Sequence, residues 1–295
     1  MSDELLAIFN SVGSHEEVRE KGVIRAPFPY PGAKSRSIDK ILPHLPYRSA
    51  YGEPFGGSGA VWLARNESPL EVFNDRFSGV TCFYRVLRDR ASMNALLDRL
   101  QVCVHSREEF TWSKATWKDC EDEVERAARW YYMVMCSFAS QGRHFGRSLK
   151  GKAQQGPKLK ANLRFFPEVH NRIVNAQIEN QDWRLLLSDY DQDDMVWYLD
   201  PPYYQYAKGM YECEMSKEDH RELLDRIFQL KGFVALSGYE NELYDKYPWD
   251  NKYSWTVRVS SLGQAFHESN NLAGHEETLQ RGTARETLWI KEAVN

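Results

Sequence analysis

Met195-Val-Trp-Tyr-Leu-Asp-Pro-Pro-Tyr203 joins five apolar residues to an acidic, proline-rich turn. The apolar run predicts a short buried strand that ends at Asp200. In an open α/β sheet, ligands bind in the crevice beyond the carboxyl ends of the strands. Each proline fixes its own φ and lacks an N–H, so nearby carbonyl groups are not used up in a regular turn. The stretch therefore predicts an α/β fold in which Asp200 lies beside the ring of Tyr203, a pair suited to an amino group on a flat heteroaromatic ring.

A second group of candidate binding residues lies earlier in the chain. Residues 49–53 predict a strand, 54–59 form a glycine-rich turn, and 70–75 predict another strand that ends in Asp75. Glycines let the backbone approach a ligand closely, and the acid can accept hydrogen bonds from both ribose hydroxyls. The glycine spacing is not the full dinucleotide fingerprint, and Glu53 would repel a pyrophosphate but attract a sulfonium or an amino group. A nucleoside without phosphates fits better than NAD or ATP, which disfavours a Rossmann oxidoreductase.

Strands and helices alternate along most of the chain. This pattern predicts a mostly parallel sheet with helices on both faces. Strand signals are sparse between residues 88 and 170, which predicts a helical insert. The remaining predicted strands are Val174–Ile178, Phe233–Ser237, Tyr253–Val259 and Thr287–Lys291. The remaining predicted helices are 35–45, 60–65, 79–87, 91–100, 121–140 and 216–230, with a loop at 141–160.

Charge is distributed unevenly in the insert and in the segment that follows it. The chain has a formal net charge of -4, yet residues 141–172 contain eight basic residues against one acid, Glu168. The following segment, 182–194, contains five aspartates. Local positive charge of this kind predicts a phosphate-binding face. The eight basic residues are Arg143, Arg147, Lys150, Lys152, Lys158, Lys160, Arg164 and Arg172.

Composition excludes several classes of protein. The apolar fraction of 42% and the charged fraction of 27% are ordinary for a globular protein, and no apolar run approaches a membrane span. The N-terminus shows no signal-peptide pattern. The five cysteines are scattered without the paired spacing of a zinc site or a disulfide framework. We therefore expect free thiols, no metal, no membrane association and a cytoplasmic location.

Four motifs occur in an order that resembles the alpha-class, Dam-like group of DNA adenine N6-methyltransferases, the D12 class. They are Pro27–Lys34, Glu53–Gly59, Asn74-Asp75 and Asp200–Tyr203. The resemblance implies a bacterial or phage-encoded enzyme that methylates double-stranded DNA as a monomer or weak dimer. It leaves open a companion restriction enzyme as a further partner.

The resemblance also implies a domain organisation. Residues 25–90 and 173–295 would form a Rossmann-like catalytic domain that uses S-adenosylmethionine. Residues 91–172 would form an inserted, mainly helical target-recognition domain, and residues 1–24 an N-terminal extension.

Individual roles follow from the same resemblance. Tyr30 and Lys34 would lie along the methionine end of the cofactor, and Asp75 would bind its ribose. The full set of implied cofactor-binding residues is Tyr30, Lys34, Glu53, Phe55, Gly57, Asp75, Asp182, Trp183 and Asp200. This chain has Tyr30 where relatives often have Trp, and Ala33 where a second glycine is usual.

The predicted catalytic residues lie in the turn Asp200–Tyr203, which we call the acceptor turn. Asp200 and the carbonyl of Pro201 would accept the N6 hydrogens of an extruded adenine, and Tyr203 would stack on its ring. Phosphate contacts would come from Arg143, Arg147 and Lys150, and Gln141 would read base edges. Residues 140–147 only loosely resemble the recognition segment of the family, so no target sequence is carried over.

The sequence alone leaves two alternative functions open. A methyltransferase of cytosine N4 or of a protein glutamine would need a similar turn, although related enzymes often begin these motifs with Ser or Asn rather than with Asp. A non-catalytic protein that binds the cofactor or DNA is the second alternative. Intact Asp200, Tyr203, Asp75 and Lys34 argue against it, because a dead site has no chemical reason to keep all four.

Overall fold

The computed structural model describes residues 23–147, 155–204, 214–258 and 283–294. Its seven strands form one sheet in the order β3-β2-β1-β4-β5-β7-β6. Parallel pairs join β2 to β3, β1 to β4 and β4 to β5, whereas β7 runs antiparallel to β5 and β6. The predicted α/β fold with a Rossmann-like sheet is confirmed. The strands are β1 (Ala50–Glu53), β2 (Leu70–Asn74), β3 (Gln177–Glu179), β4 (Met195–Leu199), β5 (Phe233–Tyr239), β6 (Asn251–Arg258) and β7 (Thr283–Lys291).

Helices separate most of the strands. No helix in the described part of the chain is long and apolar enough to cross a membrane. Short 3-10 turns cover Lys34–Arg36, Leu42–His44 and Phe138–Ser140. The α-helices are α1 (Ile38–Ile41), α2 (Ala60–Ala64), α3 (Ser78–Arg88), α4 (Arg90–Gln101), α5 (Arg107–Thr116), α6 (Glu123–Cys136), α7 (Gln155–Leu163), α8 (Phe166–Ile173), α9 (Trp183–Tyr190), α10 (Lys217–Ile227) and α11 (Glu242–Asp245).

Internal contacts divide the chain into two compact units. The first contains the described residues of Met1–Tyr47 and Gly56–Asn180, and the second those of Arg48–Phe55 and Gln181–Asn295. In the first unit, α6 is the central helix and packs against α3, α4, α5 and α7. Most of its side chains from Ala127 to Cys136 are buried, and Trp130 is fully enclosed. This packing explains why the sequence of the region between β2 and β3 predicts helices.

The prediction of a loop over residues 141–160 is partly wrong. Helix α7 begins at Gln155 and therefore includes Gly156 and Pro157, which favour a loop when taken from sequence alone. Proline is tolerated in the first turn of a helix, because its missing N–H would have no intrahelical partner there. Helices α5 and α8 were not predicted, and the strand expected at Val174–Ile178 forms as β3, which begins at Gln177.

In the second unit, β1 and β4 lie side by side at the point where the strand order reverses. Ala50 aligns with Met195 and Gly52 with Trp197, so both strands run towards the same edge of the sheet. Such a switch point is the usual binding crevice of an open α/β sheet. All five residues of β4 are buried, as its apolar run predicts. The fold therefore places the residue that follows β4, Asp200, at this crevice.

A buried ion-pair network holds the start of β2 in the first unit. Glu71 is 3% exposed and accepts hydrogen bonds from Arg172 at 2.5 Å, from Arg65 at 3.1 Å and from the indole N–H of Trp62 at 2.8 Å. Arg172 also donates to the carbonyl of Trp62 at 2.8 Å. The inclusion of Arg172 in the predicted phosphate-binding face is therefore wrong. Its charge is buried and paired.

We expect Glu71→Gln to lower the free energy of unfolding by about 3–5 kcal/mol, because it removes a carboxylate charge with which two buried guanidinium groups pair. Urea denaturation at neutral pH measures the change. The matched control is Glu123→Gln, which removes a carboxylate paired at 2.7 Å with Arg85 on the surface. The control should lose at most about 1 kcal/mol. Equal effects of the two substitutions would contradict the role of burial.

Candidate active site

The segment around Tyr30 forms a tight turn in the first unit. Ala33 N donates to Tyr30 O at 3.1 Å, and Gly32 has a φ of 78°. Proline and glycine at the central positions match a type II turn. Lys34 follows this turn, is 5% exposed, and donates from Nζ to Gly32 O at 3.2 Å. The turn thus fixes a buried ammonium group, which suits a ligand carboxylate because opposite charges attract strongly when they are removed from water.

The glycine-rich turn packs too closely to accommodate larger residues. A Cβ atom on Gly56 would lie 2.2 Å from the ring of Phe73, and one on Gly57 would lie 3.1 Å from the ring of Tyr30. Gly57 also has a φ of 51°, which only glycine adopts without strain. The requirement for glycine therefore comes from close approach and from backbone conformation together.

Asp75 is tied to the same turn. Its carboxylate accepts a hydrogen bond from Gly57 N at 2.8 Å and another from Phe77 N at 2.7 Å. Burial raises the pKa of Asp75 to about 6, and the two N–H groups act in the opposite direction. A carboxylate has about four lone-pair sites, so these two bonds leave it able to accept ligand hydroxyls.

In the second unit, predicted cofactor residues surround the end of β1 and the start of α9. Glu53 is 2% exposed and accepts a hydrogen bond from the hydroxyl of Tyr51 at 2.6 Å. The ring of Phe55 lies 6.3 Å from that of Trp183. Asp182 caps α9 by accepting from Arg184 N at 3.0 Å.

Arg184 extends this arrangement to the next helix. Its guanidinium lies over the ring of Trp183 at 4.4 Å and pairs with Asp182 at 3.3 Å. It also pairs with Asp219 and Glu222 of α10. Arg184 therefore orients two of the predicted cofactor-binding residues, Asp182 and Trp183, and its importance has no signature in the sequence.

The acceptor turn is held by the neighbouring strand β5. Ser237, which is fully buried, donates from Oγ to Asp200 Oδ1 at 3.0 Å. Pro201 is buried after it, and Tyr203 is partly exposed. The ring of Tyr203 lies 4.3 Å from that of Tyr239, and its hydroxyl donates to Glu286 at 3.2 Å.

Three residues of this environment were not predicted: Ser237, Tyr239 and Glu286. Ser237 and Tyr239 are two positions apart in β5, so their side chains point to the same face of the strand. The only signal for them in the sequence is their place at the end of a predicted strand. Glu286 lies on β7, far along the chain, and is 3% exposed.

A buried histidine lies close behind the same turn. His220 Nδ1 is 2.7 Å from the hydroxyl of Tyr244, and the ring makes an edge contact with Tyr204. Burial lowers the pKa of His220 to about 4, against opposing effects of Asp219 and the backbone of Pro202. The imidazole is therefore neutral near pH 7 and serves as packing for the turn rather than as a charge.

Two of the four predicted DNA-binding residues, Gln141 and Arg143, follow α6 in the first unit, in a hairpin loop of residues 137–146. Phe138 N donates to His144 O at 2.7 Å, which closes the loop. Ala139 and Ser140 at its tip have φ values of 51° and 57°. Left-handed conformations of non-glycine residues cost about 1–3 kcal/mol each and cluster at functional sites.

The hairpin loop and the residue after it carry three of the four predicted DNA contacts. Arg143 and Arg147 are exposed and Gln141 is partly buried, whereas Lys150 lies outside the described residues. Phe138 is 57% exposed, an unusual position for a large apolar side chain. The helix predicted at 121–140 includes Phe138, but α6 ends at Cys136 and leaves this residue in the loop.

Comparison with known proteins gives one family. A family model described as D12 class N6 adenine-specific DNA methyltransferase matches residues 30–257, more than three quarters of the chain. A search of curated proteins finds no match. The matched region includes the acceptor turn, the glycine-rich turn and the hairpin loop.

The pKa of Asp75 predicts a pH-dependent difference between wild type and Asp75→Asn. Because the folded-state pKa, about 6, exceeds the ordinary aspartate value of 3.8, the folded protein holds this proton more tightly than the unfolded chain does. The stability of wild type relative to the variant is therefore highest below about pH 4 and falls as the pH rises to about 6. Urea denaturation across this range measures the difference.

The matched control is Asp89→Asn. Hydrogen bonding to Ser92 lowers the pKa of Asp89, so its contribution to stability is lost only as the pH falls below the ordinary aspartate range. Between about pH 4 and 6 the Asp89 difference should stay nearly level. A level difference for Asp75 as well would contradict its raised pKa.

Proposed function

Because the chain belongs to the D12 class of N6 adenine-specific DNA methyltransferases, we propose that it transfers a methyl group from S-adenosylmethionine to the N6 amino group of an adenine rotated out of double-stranded DNA. The observation that carries the proposal is the position of Asp200. It follows β4 at the switch point of the sheet, and its carboxylate is held by Ser237 at 3.0 Å. A fixed acceptor at this position matches the geometry that an amino-group substrate requires.

The residues present fit S-adenosylmethionine. In the first unit, the buried ammonium of Lys34 would pair with the cofactor carboxylate, and Asp75 would accept the ribose hydroxyls. Gly57 has no side chain to block a ligand from its backbone, and a Cβ atom there would also crowd Tyr30. In the second unit, Glu53 would favour the positive sulfonium. The bound cofactor would supply an electrophilic methyl group.

Further cofactor contacts are proposed in the second unit. Phe55, Asp182 and Trp183 would contact the adenine of the cofactor, with Arg184 holding the last two in place. Tyr30 in the first unit would lie along the methionine end, where its ring already packs on Gly57.

The target adenine must leave the duplex, because its N6 group is otherwise inaccessible to an enclosed site. Tyr203 would provide a stacking surface that replaces part of the lost base stacking. Its contact with Tyr239 and its hydrogen bond to Glu286 support this role, because they restrict the ring. Asp200 and the carbonyl of Pro201 would accept the two N6 hydrogens and turn the nitrogen lone pair away from the ring.

Asp200 would act by electrostatics rather than by prior deprotonation. An ordinary aspartate has a pKa of about 3.9 and is too weak a base to deprotonate an aromatic amine. Its negative charge would instead stabilise positive charge as it develops on N6, and the proton would leave during or after transfer.

We also propose that residues 91–172 form the DNA target-recognition domain. The hairpin loop supports this assignment, because it presents Arg143 and, just beyond it, Arg147 to solvent on a strained backbone. Arginine contacts to phosphates would position the duplex, and Gln141 would read a base edge. Phe138, exposed on the same loop, adds an apolar surface that can contact unstacked bases.

Asp200→Asn tests the reaction. In a host without adenine methylation, we expect wild type to produce N6-methyladenine in a defined motif and Asp200→Asn to produce almost none, because the amide lacks the negative charge. Methylation-sensitive long-read sequencing measures both. Asp193→Asn is the matched control, since Asp193 is exposed and accepts a hydrogen bond from Arg48 through its backbone carbonyl. Methylated cytosine, or equal methylation by Asp200→Asn, would contradict the proposal.

A second test concerns the hairpin loop. Arg143→Ala and Arg147→Ala should each weaken DNA binding and reduce the slope of log K against log salt by about 0.9, the value for one lost phosphate contact. Fluorescence anisotropy with a duplex at several salt concentrations measures the slope. Arg221→Ala on α10 removes the same charge from a half-exposed site outside the loop and should leave the slope unchanged.

A further inference from the structure

We propose that Ser237 and Tyr198 are positioning residues that orient the Asp200 carboxylate for the target amino group. The proposal rests on the proposed function and adds two residues to it. Neither residue belongs to the acceptor turn. Tyr198 lies inside β4, and Ser237 lies near the end of β5.

The three side chains form a continuous hydrogen-bonded chain. The hydroxyl of Tyr198 lies 2.9 Å from Ser237 Oγ, and Ser237 Oγ lies 3.0 Å from Asp200 Oδ1. Tyr198 is 3% exposed and Ser237 is fully enclosed. Because both side chains are buried, their hydroxyl groups take their hydrogen-bond partners from the protein.

The direction of the chain follows from its last member. An ionised carboxylate only accepts hydrogen bonds, so Ser237 donates its single proton to Asp200 and must accept from Tyr198. The carbonyl of Leu199, at 3.5 Å from Ser237 Oγ, is a weaker acceptor than a charged oxygen. Burial, with added repulsion from Asp200, Glu53 and Glu286, raises the pKa of Tyr198 well above its ordinary value, so the phenol remains a donor.

Strand pairing explains why a serine is found at this point. Leu199, the last residue of β4, aligns with Leu236 of β5, and each is followed directly by one member of the pair, Asp200 or Ser237. Ser237 follows the apolar run Phe233–Leu236, where a buried hydroxyl is costly unless it is hydrogen-bonded. Its partner is the carboxylate that the mechanism uses.

Single-turnover methyl transfer tests the assignment, with wild-type protein and a duplex that contains its methylated motif. Ser237→Ala should lower the transfer rate about 10–100-fold, the size expected for a hydrogen bond to a charged group. The dissociation constants for S-adenosylmethionine and DNA should not change. Ser237→Thr keeps the hydroxyl and should restore most of the rate. Tyr198→Phe should lower the rate about 3–10-fold, because it removes a neutral donor.

The double variant decides whether the residues act in series. If Tyr198 acts through Ser237, Tyr198→Phe should cause no further loss in the Ser237→Ala background. Tyr247→Phe is the matched control, because it removes a hydroxyl that donates to Asp225 at 2.7 Å on the surface of the same unit. It should transfer methyl groups at the wild-type rate.

Failure of this assignment differs from failure of the proposed function. A wild-type protein that methylates no adenine overturns both. Wild-type methylation with a normal rate for Ser237→Ala, or with equal losses for Ser237→Ala and Ser237→Thr, overturns the positioning role alone. If Ser237→Ala lowers the melting temperature, the test rests on the near-isosteric variant Tyr198→Phe. A normal transfer rate for Tyr198→Phe would then contradict the proposed positioning role.

Discussion

The parallel pairing of β4 with both β1 and β5 is the constraint on which the candidate site depends. Pairing with β1 places Asp200 at the switch point of the sheet, and pairing with β5 brings Ser237 within 3.0 Å of its carboxylate. A slip of one residue between β4 and β5 would turn every side chain of the slipped strand to the opposite face. The buried apolar residues of β4 make such a slip costly. Packing of the core and orientation of the acceptor therefore have the same physical origin.

The two ends of β2 show how burial serves different purposes within the first unit. Glu71 at the start is matched by two guanidinium groups, so its charge is neutralised and stabilises the fold. Asp75, just after the end, accepts two backbone N–H groups, and burial raises its pKa to about 6. A buried carboxylate whose charge is only partly compensated lowers the stability of the fold. The same carboxylate can still accept hydrogen bonds from a ligand. Such trade-offs are common at functional sites.

Local sequence patterns were sufficient where the chemistry is local. The family predicted from four motifs is confirmed by the family match, and the strand before Asp200 follows from five consecutive apolar residues. Contacts between distant segments were not accessible in this way. Glu286 is separated from Tyr203 by 83 residues, and nothing near either residue predicts their hydrogen bond. Arg172 belongs to a basic segment by composition but is neutralised by Glu71, 101 residues earlier.

The electrostatics of the second unit favour a reaction in which positive charge moves between ligand atoms. Burial raises the pKa of Tyr198, and so do three carboxylates, those of Asp200, Glu53 and Glu286, which places all three within electrostatic range of one phenol. Such a cluster disfavours phosphates and favours a cationic donor and an amine that becomes cationic during transfer. The acceptor turn alone would also accommodate cytosine or glutamine, although Asp200 at its start favours adenine. What limits the choice to adenine is membership of the family, and what limits it to particular adenines must lie in the surfaces that contact DNA, because the carboxylate cluster carries no information about neighbouring bases.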